Sequence, residues 1–512
     1  MSEAIPGPKS GMQKVLDVVE RVGNRVPHPA VIFLLLILGT MVVAHVLSLM
    51  GVSATFEQYN ETTGKLEQVT QSVRSLWSAE GVRFLYNSMI PNFMSFTAVG
   101  LLIAAMIGAG VAEEAGLVKA LIRKLVVVAP PWAITYIIVF VGILSSVAAD
   151  AGYLVLIPLA GIAFLSLGRH PLAGIAAGFA AVAGAFTVNM LIKPLDAVLT
   201  EFTNDALPAA SKGLAIGLTA NLWFSIVSVM VLTLVISLIT ERIIEPRLGA
   251  YKGTGDGEKA ESGVSAEESR GLKFAGLALV GVIAFFALLT LPPGAPLRNP
   301  DTGAVIGDSP FMNQLIVFIM VTFLATGAAF GLGSGKMKGI TDIVKAVEKS
   351  LGALGGLLLL LFIIAQFVAY FNYTHMATIL AGSIADTLQG ANIGAVWLLL
   401  GFIIVVMLLD LLLTGAIAKW AIFAPVFVPI FVALGVAPEA VLAAYRVGDS
   451  PINMITPLNA YFAMVVVFCQ KYDKNSGVGT VVALMLPFVI GISVLWTLLF
   501  LLWFMLGIPF GL

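Results

Sequence analysis

Apolar runs dominate the chain, at roughly 30–50, 92–112, 172–192, 213–239, 274–292, 313–332, 351–371, 439–469 and 479–505. Each is long enough to cross the hydrocarbon core of a bilayer as a helix, which takes about 20 residues. Runs such as 31–50 and 481–505 do not alternate polar and apolar positions, so a transmembrane β-barrel is excluded. Two further pairs of runs are shorter. The first, 132–147 with 153–167, is joined by SSVAADAG and has basic residues at both outer ends. The second flanks LLLTGAIAKW, and its outer loops carry almost no Lys or Arg. Both pairs read as re-entrant hairpins, the first dipping from the cytoplasm with Ser145, Ser146, Asp150 and Gly152 at its tip, the second from outside with Thr414 and Gly415. Two full spans are the alternative for the first pair. The expected fold class is therefore an all-α polytopic membrane protein, with about nine transmembrane helices plus two opposed re-entrant hairpins.

Orientation follows from the basic residues, which concentrate on the cytoplasmic side. Lys9, Lys14, Arg21 and Arg25 precede the first span, and Lys119, Arg123 and Lys124 follow the second, so the N-terminus is expected inside. The pattern divides the chain into six parts: a cytoplasmic segment (1–29), first membrane helices with an extracytoplasmic loop at 51–90 (30–130), a first hairpin with a broken helix (131–197), connecting helices (198–392), a second hairpin with a broken helix (393–470) and a last membrane helix (471–512). Residues 12–25 have the spacing of an amphipathic surface helix, a solvated lead-in being the alternative, and the stretch before the first span does not read as a removable signal, so that span is expected to be retained.

Composition agrees. The chain has 512 residues, 59% hydrophobic and 11% charged, with a net charge of −1 that argues against a nucleic-acid partner. A single cysteine, Cys469, rules out an intrachain disulfide.

A repeat links the two hairpin regions. GYLVLIPLAGIAFLSLGRHPLAGIAA (152–177) aligns with KWAIFAPVFVPIFVALGVAPEAVLAA (419–444), pairing Tyr153 with Trp420, Pro158 with Pro425, Gly168 with Gly435 and Pro171 with Pro438. After a small gap VNMLIKPLDA (188–197) matches INMITPLNA (452–460), pairing Asn189 with Asn453, Pro194 with Pro457 and Asp196 with Asn459. Five crossings separate the copies, an odd number, which predicts opposite orientations: the inverted repeat of secondary transporters, whose sites form where broken helices meet.

Charge within the spans concentrates in the copies, at Asp150, Lys193, Asp196, Asp410, Lys419, Arg446 and Asp449. Ionised groups at bilayer depth are costly and mark binding sites or ion pairs. Arg446 can grip a carboxylate, and Asp449, one turn on, can pair with it or carry an exchangeable proton; a structural Arg446–Asp449 pair is the alternative. Trp420 can stack on an aromatic ring or anchor a helix at the interface, and Asp150 can cap a half-helix. The four histidines and Cys469 form no metal or catalytic constellation.

Taken with GNRVPHP (23–29), SSVAADAGYLVLIPLAG (145–161), AQFVAYFNYT (365–374), AKWAIFAPVFVP (418–429) and YRVGDSPINMITPL (445–458), the chain resembles the p-aminobenzoyl-glutamate transporter (AbgT) family over nearly its whole length. The resemblance implies a homodimeric inner-membrane protein of nine crossings and two opposed hairpins. Such a protein moves p-aminobenzoyl-glutamate inward, or exports p-aminobenzoate-like compounds including sulfonamide antimetabolites. It implies substrate and ion residues at Trp420, Pro438, Arg446, Asp449, Pro457 and Asp196. Where the family's second hairpin reads Asn and then a Gly-Ser-Ala-Ser turn, this chain has Asp410 and then Thr414, Gly415, Ala416 and Ile417, which questions one substrate hydrogen bond and the identity of the coupling cation.

The expectation is a transporter, not an enzyme, for a small aromatic carboxylate, driven by protons, with Na⁺-coupled uptake as the alternative. Trp420, Pro438, Arg446, Asp449, Asn453 and Pro457 are the candidate substrate residues; Asp449, Asp196, Asp410, Asn189 and Asn459 are the candidate coupling residues. Apart from Na⁺ as a possible coupling ion, no metal or cofactor is expected. The partners expected are lipid and a second copy of the chain. A channel lacks a filter-like segment, and an enzyme lacks a nucleophile with its base.

Overall fold

The computed structural model describes residues 29–60, 65–128, 130–147, 152–251, 264–306, 309–376, 379, 394–411, 413–456 and 458–512. The surface helix expected at 12–25, Asp150 and Pro457 lie outside these residues. The described chain is mostly helical, and eight of its helices are long and apolar enough to cross a membrane.

The first span is α1 (Pro29–Leu49). The stretch expected as an extracytoplasmic loop at 51–90 holds an antiparallel hairpin, β1 (Ser53–Asn60) and β2 (Lys65–Ser72), and the start of a helix, α2 (Ala79–Met94), whose first turn is capped by the Ser78 hydroxyl. The second span, α3 (Thr97–Ala115), stops at Gly116 in the left-handed region and is followed by α4 (Leu117–Val128). The stretch carrying Lys119, Arg123 and Lys124 is thus a helix, in which Leu117, Ala120, Ile122 and Val126 are buried, Lys119 and Arg123 half-buried and Lys124 exposed.

The first hairpin pairs α5 (Ile134–Leu144) with α6 (Ile157–Ser166), joined through short non-α turns at Ser145–Val147 and Gly152–Leu156. Eleven residues in α5 rise about 16 Å, far less than the ~30 Å hydrocarbon core, which favours a re-entrant hairpin over two full spans. The run expected as one span at 172–192 is broken. Helix α7 (Pro171–Gly184) ends seven residues ahead of the expected polar break, residues 185–193 are unwound, and α8 (Pro194–Asp205) starts on a proline. Then come α9 (Leu222–Ile239), the short α10 (Glu245–Leu248), α11 (Ala266–Thr290), the short α12 (Pro310–Asn313), α13 (Leu315–Ser334), amphipathic α14 (Ile340–Gly352) and α15 (Gly355–Tyr373).

The second copy has the same order: α16 (Ala395–Asp410) and α17 (Ala416–Ala433), then α18 (Pro438–Asp449), a break with one 3₁₀ turn at Pro451–Met454, and α19 (Phe462–Gln470). The last span is α20 (Val478–Met505). The copies agree in detail. Gly168 and Gly435 both take positive φ, 72° and 78°. In each turn the next residue donates back to a phenylalanine carbonyl, Arg169 to Phe164 and Val436 to Phe431, both at 2.9 Å. This is the glycine-terminated helix end, and Pro171 and Pro438 then open the broken helices.

One large apolar core holds both hairpins and both broken helices together with α9 and α20. A smaller one gathers α3, α4, α11, α13 and α14 to one side. The two breaks lie inside the large core.

Candidate functional site

Six ionisable side chains meet where the broken helices come together, each almost wholly buried: Lys193, Asp196, Asp410, Lys419, Arg446 and Asp449. The first break positions one half of them. Because residues 185–193 are unwound, their carbonyls are free of helix hydrogen bonds and accept from cations instead. The Thr187 carbonyl accepts from Arg446 Nη1 at 2.6 Å, and the Phe186 carbonyl accepts from Lys193 Nζ. Asp196, in the first turn of α8, takes the Lys193 backbone N–H on one oxygen (2.8 Å) and Arg446 Nη1 on the other (2.6 Å). Arg446 Nε donates to Asn221 Oδ1 at 3.1 Å. The Ser450 hydroxyl, just past α18, lies 2.5 Å from Thr187 Oγ1 and accepts the Thr187 N–H, tying one break to the other.

The second half lies at the tip of the second hairpin. Lys419 in α17 bridges two carboxylates, contacting Asp410 Oδ1 and lying 2.9 Å from Asp449 Oδ1. The Tyr445 hydroxyl lies 2.6 Å from the Ala416 carbonyl and 2.9 Å from Asp449 Oδ1. The other oxygen of each carboxylate, Oδ2 of Asp410 and of Asp449, is buried without a hydrogen-bond partner among the described residues. Two carboxylates and one ammonium leave this half one negative charge in excess, a costly arrangement in a dry interior unless a cation or proton joins it.

Each hairpin tip is locked to its own broken helix by repeat-related positions. Asn189 donates to the carbonyls of Ile143 and Leu144 and to Ser146, and Lys193 donates to Ser146 Oγ. In the second copy Thr456, aligned with Lys193, donates to the Leu411 carbonyl.

Comparison with known proteins settles the family. The chain matches the description "AbgT putative transporter family" over residues 14–512. The chain belongs to the AbgT family. A relative from Escherichia coli (strain K12), the p-aminobenzoyl-glutamate transport protein, is 32% identical over 498 residues, covering 97% of this chain and 96% of its own length. The YdaH transporter of Alcanivorax borkumensis is similar in structure with a TM-score of 0.88 at 39% identity, covering 95% of this chain and all of the other. MtrF of Neisseria gonorrhoeae, described as illuminating a class of antimetabolite efflux pumps, superposes with a TM-score of 0.90 at 35% identity, covering 96% and 97%.

Several residues singled out in this AbgT member sit differently from expectation. Arg446 pairs with Asp196 of the other copy rather than with its helix neighbour Asp449, which pairs with Lys419. Trp420 is fully buried, so it anchors no interface; its ring stacks on Tyr445 at 4.5 Å and its N–H points at Leu199 O and Thr203 Oγ1, leaving no open face for a ligand in this conformation. Pro438 opens α18 two turns before Arg446 and lines a separate cavity of about 520 Å³ with Gly435, Val436 and Phe510. Asn453 and Asn459 donate to backbone carbonyls, of Asp449 and Asn453. Tip residues Ser145, Ser146 and Gly152 are buried, whereas Thr414 is half-buried and Gly415 exposed. Lys193 and Lys419 were visible as charges in apolar runs, and Tyr445 and Ser450 lie within the quoted YRVGDSPINMITPL motif. Thr187 and Asn221 carry no comparable signal.

Proposed function

We propose that this AbgT member is a proton-coupled secondary transporter that exports p-aminobenzoate-like aromatic carboxylates and sulfonamide antimetabolites. The observation carrying this reading is the division of the buried charges. Arg446, Lys193 and Asp196 form a group with one positive charge in excess, and Lys419, Asp410 and Asp449 a group with one negative charge in excess. The first suits an anion and the second a proton or small cation. Protonating one aspartate neutralises the second group without moving anything. A Na⁺ ion would need several oxygen ligands at a place where the Lys419 ammonium already stands, which favours the proton. Export accords with the description of MtrF as an antimetabolite efflux pump.

Counting the broken helix α7/α8 with α9, α11, α13 and α15 as crossings gives an odd number between the hairpins, so the reading places the copies upside down to each other, with the N-terminus cytoplasmic. Assembly as a homodimer in the bacterial inner membrane belongs to the same proposal. The name of the Escherichia coli relative supports a second reading, Na⁺- or H⁺-coupled uptake of p-aminobenzoyl-glutamate.

Flux into proteoliposomes tests the proposal. Radiolabelled p-aminobenzoate should accumulate when a pH gradient is imposed and not when only a Na⁺ gradient is, and Asp449→Asn should abolish that accumulation. Accumulation that requires Na⁺ and ignores pH defeats the export reading.

A further inference from the structure

We propose that Lys193 is an anion-binding residue of the transport site, which takes the carboxylate of the substrate together with Arg446. This rests on the reading of the site as one for aromatic carboxylates and adds the residue that selects the carboxylate. Lys193 is 1% exposed, yet among the described residues its ammonium has no carboxylate within ion-pair distance. Its contacts are the Ser146 hydroxyl at 3.2 Å, the Phe186 carbonyl and the face of the Phe186 ring at 5.0 Å. All are neutral. A buried ammonium that touches no carboxylate among the described residues, and feels Asp196 only at a distance, is expensive, and the expense calls for an explanation.

Holding the hairpin tip does not supply one. Thr456, at the same place in the other copy, ties its own hairpin to its own broken helix with a hydroxyl on the Leu411 carbonyl. A neutral group therefore suffices for the lock. What Lys193 has beyond that is its charge.

The charge is also well placed. Lys193 Nζ and Arg446 Nη1 are held on successive carbonyls of the same unwound strand, Phe186 and Thr187. Successive residues stand only about 3.8 Å apart at their Cα atoms, so the two cationic heads flank one stretch of bare backbone. Asp196 already neutralises one of the two charges through Arg446 and leaves the other over. A substrate carboxylate entering the break competes at Lys193 only with neutral groups, the Ser146 hydroxyl and the carbonyl and ring of Phe186, whereas to reach Arg446 it competes with Asp196. Entry of one carboxylate balances the group.

The test uses the full-length reconstituted protein with three variants: Lys193→Thr, which copies the neutral lock of the second copy, Lys193→Met, which keeps length without charge, and Lys193→Arg. Binding of p-aminobenzoate and of its uncharged amide, p-aminobenzamide, is measured for each. Both neutral variants should weaken p-aminobenzoate binding about ten- to a hundredfold, the range for one charge-assisted hydrogen bond, leave p-aminobenzamide within about twofold, and recover with Arg. If Lys193→Thr, with melting unchanged, binds p-aminobenzoate as the parent does, the proposal is wrong and Lys193 is only a lock. Equal loss of both ligands, unrescued by Arg, assigns it a structural role and overturns the proposal as well. A parent protein that binds no aromatic carboxylate fails one step earlier, removing the proposed substrate and this assignment with it.

Discussion

Lys419 stands between Asp410 and Asp449, and its removal leaves two buried carboxylates facing each other without a cation. Breaking a buried pair from one side costs about 3–5 kcal/mol, because the remaining charge keeps its desolvation penalty without the attraction that offset it. Asp410→Asn does the reverse. It leaves one ammonium on one carboxylate and removes a carboxylate that has one oxygen unpartnered among the described residues. Thermal melting in detergent should therefore show Lys419→Met strongly destabilised and Asp410→Asn at least as stable as the parent; the opposite order would mean that the excess negative charge is already neutralised in the resting protein. At this scale the sequence was informative about which charged residues are buried together and poor about who touches whom. Charge inside an apolar run announces itself by its cost. Arg446 finds Asp196, 250 residues away, rather than Asp449 three residues on, because the unwound first break places Asp196 and the Thr187 carbonyl on the same side of the guanidinium.

Helix α7 shows where hydropathy stops being a guide to elements. AAVAGAFTVNM reads as continuous span, yet the helix ends at Gly184, because the backbone groups beyond it are taken by the other copy: the Thr187 N–H by Ser450, the Thr187 carbonyl by Arg446. That break is tertiary, and no local signal announces it, whereas Pro194 and Pro438 opened their helices as their fixed φ predicts. The start of α7 also carries a titration. The neutral ring of His170 accepts the Leu172 N–H on Nδ1 at 3.3 Å, ahead of the first helical residue. Burial pushes His170 below its usual value, only partly opposed by Asp473 and Glu245. A lowered folded value means that the unfolded chain binds the proton first as pH falls. The contribution of His170 is thus complete above about pH 6.5 and is lost as the pH drops through the lower folded value. His170→Asn, which keeps a side-chain acceptor at the cap without a titrating group, should show a smaller fall in melting temperature between about pH 7.5 and 5.5 than the parent. Equal falls in both proteins would assign the acid sensitivity elsewhere.

At the scale of the whole molecule the repeat was legible because it is written in residues that backbone geometry demands. Gly168 and Gly435 carry positive φ, Pro171 and Pro438 open helices, and apolar drift in composition would not keep such residues in register. Less legible was the compensation between the two charge groups, one with excess positive charge built across the copies from Lys193, Asp196 and Arg446 and one with excess negative charge built from Lys419, Asp410 and Asp449 of the second copy, since neither sum can be formed until the partners of Arg446 and Lys419 are known. The proposed inverted arrangement would make that compensation useful, because rocking one copy against the other would expose the joint site to one side of the membrane at a time. It also makes a prediction independent of transport. Leu167, at the open end of the first hairpin, and Ala437, at the open end of the second, are both exposed, and the native Cys469 is buried. A single cysteine at either place in a Cys469→Ala background should react with a membrane-impermeant maleimide from opposite sides, position 167 only after the cytoplasmic face is opened and position 437 in intact cells. Reaction of both from the same side would make the copies parallel, and a parallel pair of hairpins could not close the shared site from the two faces in turn.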